Sequence, residues 1–347
     1  MFKIGSKVIG DGNLTFIIAE AGVNHNGDIG IAKQLIDKAL FAGVDAIKFQ
    51  TFKTEKLVTG YADMADYQKT NIGKVGSQFN MLKKLELTQE NFIELQRYCI
   101  EKDIMFLSTP FDFESADFLA SIGMVAFKIS SGDLTNIPFL EHIARFNKPI
   151  ILSSGMATLS DIEQALNAIN LLGNNEVAVL QCTSNYPAKL QNVNLKAMNT
   201  IKNAFQIVSG YSDHTEGISV TIASAAMGAN IIEKHFTLDK SMEGPDHKAS
   251  LNPVELKEMV KAIRDVEMAL GTGIKRYNPS EVNTMKAARK SIVASRDIKT
   301  GETINLADLD YKRPGTGLSP KLYRDIVGKK INRDIKMDEQ IALNMME

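Results

Sequence analysis

A chain of 347 residues, 44% hydrophobic and 23% charged, has the composition of a globular protein built as two domains or as one large barrel with an appendix. A formal net charge of −1 gives no basic field to attract nucleic acid. No apolar run approaches the ~20 residues of a membrane span, MFKIGSKVIGDG lacks the apolar segment of a secretory signal, and Cys99 and Cys182 form no metal or redox pair, so a cytoplasmic protein is expected.

Eight short strand-like runs follow in chain order: FIIAEA (16–21), AIKFQ (46–50), IMFLSTP (104–110), VAFKIS (125–130), PIILSSG (149–155), VAVLQCT (177–183), QIVSGYSD (206–213) and NIIEKHF (230–236). Most are continuous apolar runs, as parallel strands buried on both faces require. Amphipathic helical patterns separate them, such as IGIAKQLIDKALFAG (29–43), closed by Gly43, and LSDIEQALNAINLLG (159–173), for which Ser160 is the expected N-cap. Eight strand–helix units in roughly 250 residues predict a (β/α)8 barrel. The doubly wound sheet is the alternative, but no Gly-rich dinucleotide turn follows the first strand. Residues 54–89 are too long and polar for an ordinary loop and are expected to form an insertion over the barrel mouth. The predicted division is a barrel over 1–270, a linker over 271–285, and a small domain over 286–347, where brief segments alternate with turn signals.

Polar residues crowd the C-terminal ends of the predicted strands, where such barrels carry their sites. These are Glu20; Lys48 and Gln50; Ser108 and Thr109; Lys128, Ser131 and Asp133; Ser153 and Ser154; Thr183, Ser184 and Tyr186; Ser212, Asp213 and His214; and Glu233 and His235. His214 and His235 end neighbouring strands, and two converging imidazoles suit Mn, Fe, Co or Zn better than Ca. A hydrogen-bonded histidine pair without metal is the alternative. Lys48 and Lys128, with the hydroxyls of Thr109, Ser131, Ser153 and Ser212, match a phosphate or carboxylate ligand, the alternative being a salt bridge to Glu20 or Glu233 that only satisfies charge. A Schiff-base lysine competes with that reading, but it leaves the paired histidines and the hydroxyl ring unexplained. Cys182 is expected to be a core thiol, His25 a structural loop contact and His142 a surface residue; His247 is open.

The motifs AEAGVNHNGD (19–28), IKFQTF (47–52), STPFD (108–112), FKISSGD (127–133), ILSSGMAT (151–158), YSDHT (211–215), EKHFTLDKSMEGPDHKAS (233–250) and KRPGTG (312–317) closely resemble the sialic acid synthase family, over nearly the whole chain and in the family's order. The resemblance implies a TIM barrel followed by an antifreeze-like (SAF, β-clip) domain. It implies condensation of phosphoenolpyruvate with N-acetylmannosamine or a close relative, giving a nine-carbon sialic acid and phosphate. The alternative substrate is 2,4-diacetamido-2,4,6-trideoxymannose, which gives N,N'-diacetyllegionaminate. A divalent metal, Mn2+ with Mg2+ or Co2+ as alternatives, would be held by His214 and His235. Lys48, Thr109, Lys128, Ser131, Ser153 and Ser212 look like the phosphoenolpyruvate cradle, with Ser184 where members carry an Asn. Glu20, Gln50, Tyr186 and Asp246 look like sugar contacts, and Arg313 looks like a residue reaching the site of the partner chain in a domain-swapped homodimer. Asp133 replaces a Glu common in the family and, with Glu233, is a candidate for handling protons when water adds. A non-catalytic sugar-binding coat or assembly protein of the same fold would not need Lys48, Lys128, His214 and His235 together.

Overall fold

The computed structural model describes residues 1–65, 68–69, 71 and 76–347. The chain divides into two compact units, Met1–Gly271 and Thr272–Glu347.

In the first unit eight parallel strands form one near-closed barrel sheet: β1 (Phe16–Gly22), β2 (Ala46–Thr51), β3 (Met105–Pro110), β4 (Phe127–Ile129), β5 (Ile150–Ser153), β6 (Val177–Cys182), β7 (Val208–Asp213) and β8 (Ile231–His235). Each pairs with its sequence neighbour and β8 closes onto β1; β3 and β4 run side by side without a hydrogen-bonded ladder. The strands are buried on both faces, which explains their unbroken apolar runs. The helices that follow them bury one stripe each: α1 (Ile29–Ala42), α2 (Gln89–Glu101), α3 (Phe113–Ser121), α4 (Ile137–Ala144), α5 (Leu159–Asn170), α6 (Lys196–Phe205), α7 (Ser219–Ala226) and α8 (Pro253–Leu270). Asp28 caps α1 by accepting from the Ile31 amide, and Gly43 ends it at φ 81, in the left-handed conformation that glycine adopts without strain. For α5 the cap is Thr158 and not the expected Ser160: Thr158 Oγ1 accepts from the Asp161 amide while Asp161 bonds back to the Thr158 amide. Only an oxygen three residues before that amide completes this reciprocal box.

An N-terminal hairpin, Phe2–Ile4 with Lys7–Ile9, adds Phe2, Ile4 and Ile9 to the barrel's core. Gly5 lies against Met105 at the start of β3, and Lys7 pairs with Asp45 just before β2. The hairpin therefore covers the end of the barrel opposite the strand C-termini.

Within 54–89, residues 66, 67, 70 and 72–75 lie outside the described set, and the expectation of an insertion applies to the rest. Those include short helices at Thr54–Leu57 and Gln78–Leu85. Glu86 ties the segment down by accepting from both the amide and the hydroxyl of Thr54.

The second unit has its own core of Ile292, Ala294, Ile298, Ile304, Leu309, Ile326, Ile331, Ile335 and Ile341. It contains one antiparallel ladder, β9 (Ser291–Ala294) with β10 (Leu309–Lys312), and several single bridges. The stretch expected to be a plain linker carries a short helix at Val282–Ala288.

Candidate active site at the strand C-termini

Strand register decides which side chains share the barrel interior. Glu20 stands beside Lys48, Gln50 beside Thr109, Ser212 beside Glu233, and His235 beside Glu20. Because side chains alternate along a strand, Lys48 and Gln50 on β2, and Glu233 and His235 on β8, point the same way. They line a cavity of about 680 Å³.

Its floor is a charge cluster. Lys48 Nζ lies 2.7 Å from Glu20 Oε2 and 3.6 Å from Glu233 Oε2, and donates to Thr109 Oγ1 at 2.8 Å. Lys128 Nζ donates to Ser153 Oγ at 2.7 Å and to the Ile129 carbonyl, and lies 3.7 Å from Glu233 Oε1. Ser212 donates to Glu233, and Gln50 donates to Glu20. Both lysines are almost fully buried. Burial pushes Glu20 up to about 7 against the pull of Lys48. Burial acts on Glu233 in the same direction, but there it is outweighed by Lys128 and Lys48 together, which hold that carboxyl down near 2. Burial lowers Lys128, whereas at Lys48 the same burial is overcome by its two carboxylates. The site thus holds a carboxylate that stays ionised next to one poised to take a proton near neutrality.

Beside this cluster the backbone comes close enough to exclude any side chain. The Gly155 amide donates to Ser131 Oγ at 2.9 Å, and a Cβ on Gly155 would lie 2.2 Å from Ser184 Oγ. Ser131, Gly155 and Ser184 therefore make a tight ledge with hydroxyls facing one another. Asp133 stands one step back: it accepts from Ser130, which lines the cavity, and burial raises its carboxyl. Asp246 lines the cavity from the loop after β8 and is pushed up to about 6 by burial.

His214 and His235 meet at the mouth of the floor, with ring centroids 5.4 Å apart, and Tyr186 lies against His214 at 4.1 Å. His214 Nδ1 is 2.8 Å from the Thr183 carbonyl, an acceptor, so this nitrogen carries a proton, and in the neutral ring Nε2 is the nitrogen with the lone pair. His235 Nδ1 is buried with no hydrogen-bond partner among the described residues, and burial beside His214 drives its basicity well down. Metal–nitrogen bonds of ~2.1 Å would set two imidazole centroids on one ion roughly 5 Å apart, which these rings match. Among the described residues no cluster of three or more His, Cys, Asp and Glu forms a complete metal cage. A cation held by this pair would fill its other positions with water or substrate oxygens.

Above the floor the wall changes character. Val23, Phe52, Leu57, Val58, Met81, Leu82, Leu85 and Phe111 line it, and most of them form a small apolar cluster of their own. Among the described lining residues the lysines are the floor's Lys48 and Lys128, and there is no arginine.

Of the residues singled out in the sequence, Glu20, Lys48, Gln50, Thr109, Lys128, Ser131, Ser153, Ser184, Tyr186, Ser212, His214, Glu233, His235 and Asp246 line one cavity. Asp133 does not line it directly, and Arg313 is an exposed residue of the second unit. Cys182 is buried, as expected of a core thiol, yet it also lines the cavity with Sγ 3.7 Å from His214 Nδ1. The signal was its place two residues after Leu180 on β6, in register with Ser212. His25 is a buried loop contact, accepting at Nδ1 from the Gly27 amide. His247 is buried and held by Thr237 and Asn26. His142 is half-buried, bonded to Asp117 and packed edge-on against Phe113 and Phe146, so it is not a plain surface residue.

Comparison with known proteins agrees with this geometry. The chain is 48% identical to an N,N'-diacetyllegionaminic acid synthase of Campylobacter jejuni, over 94% of this chain and 98% of that one. It is 45% identical to the enzyme of the same name from Legionella pneumophila, over 95% and 94%. A crystal structure of N-acetylneuraminic acid (sialic acid) synthetase from Leptospira borgpetersenii, in complex with citrate, superposes with a TM-score of 0.72 at 34% identity, over 82% of this chain and 94% of that one. The NeuB family model matches residues 35–275 and the SAF domain model residues 289–347. An eight-stranded barrel with this floor, joined to a SAF domain, belongs to the NeuB family of nonulosonic acid synthases.

Proposed function

We propose that the protein condenses phosphoenolpyruvate with an N-acetylated mannosamine-type sugar, releasing phosphate. The observation that carries this reading is the floor, where two buried lysines, each hydrogen-bonded to a hydroxyl, stand within one cavity of two converging histidines. Lys48 and Lys128 supply charge for the phosphate and carboxylate, and Thr109, Ser131, Ser153, Ser184 and Ser212 supply oriented hydroxyls. His214 and His235 would hold a divalent cation, Mn2+ first among the candidates, which would polarise the open-chain sugar's carbonyl. C3 of phosphoenolpyruvate bonds to that carbonyl carbon, water adds at C2, and phosphate departs with C–O cleavage. Glu20, poised near neutrality, holds or passes a proton at the sugar oxygens alongside Gln50, Tyr186 and Asp246. Glu233, kept ionised, and Asp133, acting through Ser130, are the groups available to the water that adds.

N-acetylmannosamine carries a hydroxyl at C6, whereas the trideoxy diacetamido sugar carries a methyl. The apolar wall favours the second, and so do the names of the two relatives, which makes N,N'-diacetyllegionaminate the preferred product over N-acetylneuraminate. For Arg313 we propose a sugar contact delivered by the partner chain of a homodimer. Mixing inactive Arg313→Ala and His235→Ala chains with confirmed subunit exchange should then restore activity. The test of the main reading is phosphate release from phosphoenolpyruvate with Mn2+ and each sugar in turn. Release that requires the sugar, and is faster with the trideoxy sugar, supports it; none with either sugar overturns it.

A further inference from the structure

Behind the two histidines, on the outer face of the sheet, lies an ion pair that the chemistry above does not use. Asp213 and Lys234 stand opposite one another in the β7–β8 register, and both side chains are fully buried. Each immediately precedes one of the histidines. Lys234 Nζ donates to Asp213 Oδ2 at 2.8 Å and to the Thr215 carbonyl at 2.5 Å. Asp213 Oδ1 accepts from the Thr215 amide, and Oδ2 also accepts from Thr221 Oγ1 on α7. The residues on both sides of His214 are thus fastened to the residue before His235.

We propose that the Asp213–Lys234 pair is a positioning device that sets the separation and aim of His214 and His235. The inference rests on the reading of those histidines as cation ligands. Its physical basis is the position of His214 just past the end of β7, where its carbonyl accepts from the Ala188 amide and its ring bonds the Thr183 carbonyl, so its own tethers run to the segment after β6. His235, by contrast, ends a paired strand, and its carbonyl accepts from the Leu251 amide. One histidine is therefore held by the sheet and the other by the segment after β6, and the ion pair joins these two supports. Two apolar side chains would join β7 to β8 as firmly, because removing two charges from water offsets much of their attraction. What the pair adds is direction: a lysine with two fixed acceptors, one of them the carbonyl following His214, dictates the path along which the chain leaves the strand. Outer residues of this kind hold ligands to within the tolerance a cation demands.

The test uses the full-length chain with Asp213→Asn and Lys234→Met together, which removes both charges while keeping similar shapes and an acceptor for the Thr215 amide. Mn2+ affinity is read from the electron paramagnetic resonance of the free ion, phosphoenolpyruvate binding by calorimetry without metal, and folding by thermal unfolding. The expected result is a variant that melts near the parent and binds phosphoenolpyruvate as the parent does, with Mn2+ affinity lower by roughly 10–100-fold. A folded double variant with parental Mn2+ affinity overturns the proposal, and so does one in which Mn2+ and phosphoenolpyruvate affinity fall together with the melting temperature. If the double variant does not fold, Thr221→Val, which removes one bond to Asp213, decides: weaker Mn2+ binding at an unchanged melting temperature supports the proposal, and unchanged binding overturns it. A parent that binds no Mn2+ refutes the cation reading itself, an outcome distinct from variants that bind it normally.

Discussion

The floor and the wall of the cavity are built by different means. The floor is made of side chains from the ends of paired strands, fixed by register and by bonds to one another, as Lys48 is to Glu20 and Thr109. The wall comes largely from residues 54–89 and is held by apolar contact around Val23, Phe52 and Leu85, with Glu86 as its anchor. A charged ligand needs donors that do not move, and a strand end provides them. An apolar contour needs only shape, which a segment outside the sheet can change without disturbing the chemistry. On the proposed function the contrast makes reaction and sugar choice separable, and each substitution below would break or sharpen that separation.

The largest effect is expected at the floor. His235→Ala should lower kcat/KM on the order of 10³-fold or more with the fold intact, as judged by circular dichroism and phosphate release, since the ring projects into the cavity. Next comes Asp246→Asn. A carboxyl raised from 3.8 to about 6 in the folded chain favours folding at low pH, and this contribution is lost as pH rises through 6. Its ionised form therefore burdens the fold above pH 6, by about 3 kcal/mol for a shift of about two units. The variant should melt above the parent at pH 7.5 and equal it near pH 3.5; a constant difference across pH would contradict this. At the wall, Leu82→Asn should raise KM for the trideoxy sugar by roughly tenfold while leaving KM for phosphoenolpyruvate unchanged. A rise in both would erase the separation of floor and wall. The smallest effect belongs to the cap of α5: Thr158→Ala should cost about 1 kcal/mol in denaturant unfolding, whereas Ser160→Ala should cost almost nothing.

How much of this was legible in the sequence follows the same division. Strands betray themselves by apolar runs, and a titratable residue ending such a run stands out, so Lys48, Lys128, Glu233 and His235 were visible. For the wall, the insertion over the mouth was expected but its apolar lining was not, because 54–89 reads as a polar stretch until the fold shows that Leu57, Met81 and Leu82 face the cavity. Cys182 was half-legible: its burial was expected, but its inward direction depends on the phase of β6, which an apolar run conceals. The capping residue of α5 was within reach, because Thr158 stands three residues before Asp161 and Ser160 does not. The role of Asp213 and Lys234 was hidden by their neighbours, since the histidine beside each drew the functional reading.

The pairing of Lys48 with Glu20 has a consequence for how the site meets its ligand. The lysine already has a counterion, one that the fold supplies and bulk salt cannot reach. An arriving anion does not fill a positive hole; it competes with an internal carboxylate for the same cation. Its affinity is a difference between two rival partners, so a weak anion leaves the incumbent in place. Discrimination against common small anions is thus written into the resting state of the barrel, before any sugar has arrived.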